Sequence, residues 1–192
     1  SKEYHDRYEA IGMPKKGFES AYVEAKKILE KADGDDYEFL TVIDTKTGKT
    51  VATTLEYKKV HRDKVGFNES DYNKAYSYRG SITQIHNHSK NGRPSGADII
   101  SCFKHENVEY SIIACHDGDL FVLQDFNRKF DVEKIYDEYY NEAVREMQNL
   151  TDDEFNFTVL VALKDDDGTV SEVIVCEPSI VAPNTVNGEI VI

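Results

Sequence analysis

The chain has 192 residues, 40% of them hydrophobic, with 36 acidic against 23 basic side chains and a formal net charge of −13. That length and apolar content allow one sizeable core, while the charge disfavours phosphate backbones and anionic membrane surfaces as partners. No apolar window reaches bilayer-spanning length and no signal peptide is present, so the expectation is a cytoplasmic protein with no membrane association. Its start, "SKEYHDRY", lacks a methionine, which suggests a domain taken from a larger protein. Three cysteines (Cys102, Cys115, Cys176) lie in apolar contexts without CxxC spacing, a pattern of buried free thiols in a reducing compartment.

Residues 17–33 place Phe18, Tyr22, Ala25 and Leu29 on one helical face, with Gly34 able to end the helix. "YEFLTVID" and "TVATTLEY" read as a β-hairpin around "DTKTGK", where Gly48 supplies the positive φ of a tight turn. Asn68 or Ser70 caps a helix "ESDYNKAYSYR" that Gly80 closes. "SITQIHNH" then predicts a strand and "SGADIISCFKHE" a helix. "YSIIACH" and "DLFVLQDF" predict two strands around the turn at residues 116–119.

From Asp131 a helical stripe runs through Val132, Ile135, Tyr136 and Tyr139 to Met147. "FNFTVLVAL" and "TVSEVIVCE" form a last hairpin, with "EIVI" as a terminal strand. Strands and helices alternate without a βαβ rhythm, so the expected class is α/β (α+β): a mixed central sheet flanked by helices. The organisation expected is an N-terminal helical segment at 1–36, a core at 37–127, and a helix with hairpin at 128–192.

The chemistry concentrates in "ITQIHNHSKNGRPSGADII", residues 82–100. Strand side chains alternate, so His86 and His88 share a face with Asn87 opposite, a spacing that can hold one metal ion. Ser95 reads as the N-cap of the next helix, which puts Asp98 in its first turn as a third ligand, and two histidines with one carboxylate leave an open position. Other readings stand beside this one. Ser95 to Asp98 is also an ordinary capping box, and a His-x-His pair at a strand end is often a hydrogen-bonded surface feature.

"HNH" at 86–88 followed by "PSGADI" at 94–99 resembles the His-x-His…Ser-x-x-Asp signature of the JAMM (MPN-type) metallopeptidase superfamily, closest to its bacterial RadC-like branch. The hairpin, the intervening helix and "YSIIACHDGDLFVL" follow in that family's order, so the resemblance covers residues 37–126. It implies layering like that of JAMM and cytidine deaminase folds, and zinc held by His86, His88 and Asp98. It also implies a general base, for which Glu56 is the best match, with Glu38 and Glu69 as weaker rivals, and Ser95 as oxyanion donor. The implied activity is hydrolysis of a peptide or isopeptide bond in a protein or peptide substrate, such as a ubiquitin-like conjugate.

Two positions depart from the pattern. Ser89 stands where the family commonly has proline, and the run from His88 to Ser95 is one residue short. These departures support an alternative: a non-catalytic JAMM-like binding or assembly module of a larger protein. A DNA-processing role would need the one basic cluster, Lys58, Lys59, His61, Arg62 and Lys64. Neither the "HNH" string as a nuclease motif nor "KDDDGT" as a calcium loop has the required spacing. "YDEYYNE" reads as a helix packing face, and His105 and His116 as solvated side chains.

Overall fold

The computed structural model describes residues 2–32, 37–58, 65–89, 91–126, 128–129, 131–134 and 137, and the backbone of strands at 156–164, 170–176 and 185–191. The basic cluster beyond Lys58, most of the helix expected from Asp131 with its tyrosine-rich run, the "KDDDG" turn and the Cys176 side chain lie outside the described residues. Two units are distinguished, residues 1–92 with 104–126, and residues 93–103 with 127–192. The first unit therefore takes in the N-terminal helical segment as well as most of the expected core.

In the first unit, β1 (Leu40–Asp44) and β2 (Thr50–Thr53) form the expected hairpin, with Val42 opposite Ala52. Asp44 shapes its turn: Oδ1 accepts from Lys46 N–H, Thr47 N–H and the Thr47 hydroxyl. Gly48 adopts φ +72, as the turn requires. Three further strands complete a mixed sheet: β3 (Ile82–Asn87), β4 (Val108–Ala114) and β5 (Leu120–Leu123). The order is β2-β1-β3-β4-β5, with β3 and β4 parallel and the other neighbours antiparallel. The expected α/β class is thus observed.

β3 is buried along its whole length although four of its six residues are polar. A buried polar group costs stability unless it is paired, and partners are in place. Thr83 meets Thr45 hydroxyl to hydroxyl at 3.0 Å, and Tyr76 donates to Gln84 Oε1 at 2.5 Å. Asn87 is fully buried and ties the strand to the segment entering β1. Its Oδ1 accepts Phe39 N–H at 2.8 Å while its Nδ2 donates to Tyr37 O at 2.9 Å.

One face of the sheet is covered by α1 (Lys2–Glu9) and α2 (Lys15–Ala32), whose Tyr8, Phe18, Ala21, Ala25 and Ile28 pack with Ile43, Ile85 and Ile112. The buried stripe of α2 runs through positions 18, 21, 25, 28 and 32, so Tyr22 and Leu29 are only partly buried. Helix α1, which lies within the expected N-terminal helical segment, explains the rotation. Tyr22 faces it, with ring centroids 6.1 Å from Tyr4, 5.0 Å from His5 and 5.7 Å from Tyr8. Gly17 lets α2 approach the end of β1, because a Cβ there would collide with the Thr45 carbonyl oxygen.

α3 (Glu69–Tyr76) meets the other face through the Tyr76 to Gln84 bond. Asn68 caps it as expected, accepting Asp71 N–H at 2.9 Å. Asn107 Nδ2 holds its far end by donating to Ala75 O and Tyr78 O.

The second unit contains α4 (Gly96–Lys104, its last residue counted with the first unit) and a three-stranded sheet of order β7-β6-β8. β6 (Asn156–Lys164) and β7 (Val170–Cys176) are the expected antiparallel hairpin. The terminal strand β8 (Thr185–Val191) starts earlier than "EIVI" and pairs parallel with β6. Among the described residues no helix is long and apolar enough to cross a membrane.

Candidate functional site

Alternation along β3 sends His86 to the face of Leu40 and Gln84, and Asn87 to the face covered by α1 and α2. His88, just past the strand, returns to the side of His86. The two rings converge, with Nε2 to Nε2 3.1 Å and centroids 5.0 Å apart. His88 Nδ1 lies 2.9 Å from Gly92 O. A carbonyl only accepts, so Nδ1 carries the proton, and a neutral His88 ring presents its Nε2 lone pair to His86. Without a metal, His86 Nε2–H can donate to that lone pair. With both Nε2 lone pairs turned inward, the pair suits a cation: two nitrogens about 2.0–2.1 Å from a tetrahedral zinc stand about 3.3–3.4 Å apart.

Ser95 and Asp98 form the reciprocal capping box that the sequence allowed. Asp98 Oδ2 accepts both Ser95 N–H and the Ser95 hydroxyl at 2.7 Å, and Asp98 N–H reaches Ser95 Oγ at 3.3 Å. Ile99 N–H closes the first turn of α4 on Ser95 O at 3.2 Å. Asp98 Oδ1 takes no part in the box. The hydroxyl proton of Ser95 is directed at Asp98, so in this arrangement Ser95 orients that carboxylate. Ligand atoms of His86, His88 and Asp98 all lie within 4.8 Å of one another, and the group could hold a metal ion. Asp98 thus belongs both to the capping box and to the group of ligand atoms.

The carboxylates proposed as base are placed differently. β2 ends at Thr53, and a turn follows in which Tyr57 N–H donates to Thr54 O at 2.9 Å. Glu56 sits exposed in that turn and outside the group of ligand atoms. Glu69 is exposed at the start of α3. Glu38 is half-buried. Leu40 is opposite His86 in the β1–β3 ladder, and continuing that register two residues sets Glu38 opposite His88. Ser89 N–H points to Glu38 Oε1 at 3.4 Å, a donor that a proline at this position would lack. The departure at Ser89 thus coincides with a contact to Glu38.

Further contacts fix the loop that carries His88. Asn91 adopts φ +53 and accepts His116 N–H on Oδ1 at 2.7 Å, while the Cys115 thiol faces Gly92 O at 3.9 Å. Cys102 and Cys115 are buried free thiols, and burial pushes Cys115 up to about 12, helped by the charges of Asp117 and Asp119. His105 is not simply solvated: it stacks on Tyr76 at 3.6 Å, and burial, then Lys104, holds it below the usual histidine range. His116 is exposed, as expected.

No protein-family model matches the chain, and no curated protein matches it significantly.

Proposed function

We propose that the protein is a zinc-dependent hydrolase of peptide or isopeptide bonds, with His86, His88 and Asp98 as ligands. The observation that carries this reading is the convergence of the two imidazole Nε2 atoms at 3.1 Å with Nδ1 of His88 tied to a carbonyl. A carbonyl behind a histidine ligand fixes its tautomer and ring orientation, as outer partners do at metal sites. Two histidines and one carboxylate form the open donor set of catalytic zinc rather than the closed set of structural zinc. Bound zinc supplies Lewis acidity, which acidifies a water and polarises a substrate carbonyl.

The remaining work belongs to the chain's own side chains. We assign the base to Glu38 rather than Glu56, because Glu38 is half-buried in register with His88 whereas Glu56 is exposed beyond β2. Glu38 takes the proton of the attacking water and returns it to the leaving amine. Ser95 orients Asp98, and its hydroxyl can serve a developing oxyanion only by turning away from that carboxylate.

The test is metal content of tag-free protein, beside His88→Ala, Asp98→Ala and Glu38→Gln. The expected result is about one zinc per chain, lost in the first two variants and kept in the third. Peptide and isopeptide substrates, ubiquitin-like conjugates among them, then form the activity screen. Absence of zinc uptake from a slight excess overturns the reading and favours a non-catalytic binding module.

A further inference from the structure

α1, α2 and the turn between β4 and β5 border an open cleft of about 450 Å³. Small-ligand sites span about 300–1,000 Å³, so the cleft has room for a compact organic molecule. Two charges on α2 decide what can enter it. Lys26 and Glu30 stand one helical turn apart, both exposed, and both line the cleft. Their spacing permits a mutual ion pair, yet among the described residues neither takes part in one. Lys26 instead leans over the Tyr22 ring, 5.6 Å from its centroid.

The second charged pair in the wall is already engaged. Glu3 and Arg7 are 3.7 Å apart, and Arg7 Nη1 donates to Gly118 O at 2.8 Å. The cleft thus offers one cation and one carboxylate to an incoming molecule, with Leu29 on the same helical face and Tyr4 on the facing helix.

A complementary ligand carries an anion and a cation at a matching separation, with apolar bulk between them. Side chains four apart on a helix have Cβ atoms about 5–6 Å apart. The termini of an extended dipeptide are about 6–7 Å apart, while those of a single amino acid are much closer. We propose that this cleft binds short peptides through both free termini, the carboxylate on Lys26 and the ammonium on Glu30, with a side chain over Leu29 and Tyr4.

Calorimetric titration of the full chain in chelator tests this, with glycyl-leucine, N-acetyl-glycyl-leucine and glycyl-leucinamide as probes. The free dipeptide should saturate a single site, and blocking either terminus should weaken it about two- to fivefold, as expected when one exposed ion pair is lost. Lys26→Glu and Glu30→Lys should each weaken it similarly. The double variant should bind again, because it presents the same two charges in reverse order. Both side chains are exposed, and circular dichroism verifies that each variant is folded. Lack of saturation at millimolar dipeptide, equal binding of the blocked peptides, or failure of the double swap to restore binding overturns the proposal. With chelator present, the outcome is independent of the zinc reading.

Discussion

Glu38 stands opposite His88 where the β1–β3 register runs past the end of its ladder, and Ser89 N–H points at its carboxylate from 3.4 Å. The relationship separates two carboxylates of the same hairpin region. If Glu38 is the base, Glu38→Gln should lower turnover by about 10²–10⁴-fold with zinc retained, since that is the usual contribution of a positioned general base. Glu56→Gln should leave kcat nearly unchanged, because Glu56 is exposed and outside the group of ligand atoms. Parallel measurement of kcat and zinc content on the two variants decides the assignment, and the reverse pattern would sink it.

Asn87 should matter for stability more than for chemistry. Its carboxamide pairs with the backbone at Phe39 and Tyr37 while fully buried, so Asn87→Ala leaves a donor and an acceptor without their partner. The expected loss is about 2–4 kcal/mol, read as a lower urea midpoint at unchanged slope. A variant as stable as the parent would show that water replaces both bonds.

Asp44 makes an acid-dependent contribution. Burial raises its pKa, but hydrogen bonds from the Thr47 backbone and hydroxyl, Tyr78 and the Lys46 N–H outweigh it and hold the carboxyl below its usual range. A depressed folded-state pKa means that the unfolded chain binds the proton more readily. The contribution is therefore complete above the ordinary carboxylate value, about 3.9, and is lost as pH falls through the lower folded value. Asp44→Asn should cost stability at pH 7 and flatten the decline towards pH 2. An undiminished acid slope in the variant would assign that decline to other carboxylates.

Cys115 should resist alkylation. With the thiol pushed up to about 12, roughly one molecule in 10⁴ is thiolate at pH 8, and the side chain is buried as well. Iodoacetamide should label it at least about 100-fold more slowly in native protein than in urea, read by peptide mass mapping. Rapid native labelling would mean that the turn following β4 opens readily.

How much of this was legible in the sequence depends on whether local rules suffice. The shared face of His86 and His88, the Asn68 cap and the Gly48 turn each follow from a few neighbouring residues. So does the box between Ser95 and Asp98. Glu56 was matched on a strand-like pattern that Leu55 and Tyr57 extend, whereas β2 ends at Thr53, the chain turns at Thr54 and the alternation stops there. Glu38 meets Ser89 N–H across 51 residues of sequence, a contact that no local pattern encodes. An N-terminal helical segment was expected at 1–36, but with only Tyr8 of its eight residues buried, α1 has no apolar stripe to mark its separate bounds. The four-residue spacing of Tyr4 and Tyr8 was the available signal. The cleft on α2 could not be anticipated without α1, since one of its walls belongs to that helix.

Parallel pairing of β3 with β4 has a consequence for how this chain can change over time. Both strands end on the same edge of the sheet, so the loops that follow them emerge side by side. They are laced together through Asn91 with His116 and Gly92 with Cys115. An insertion in either loop would loosen the seat of His88 from outside. Lineages that lengthen one loop should carry a compensating change in the other, and a redesign of this edge must alter both as a pair.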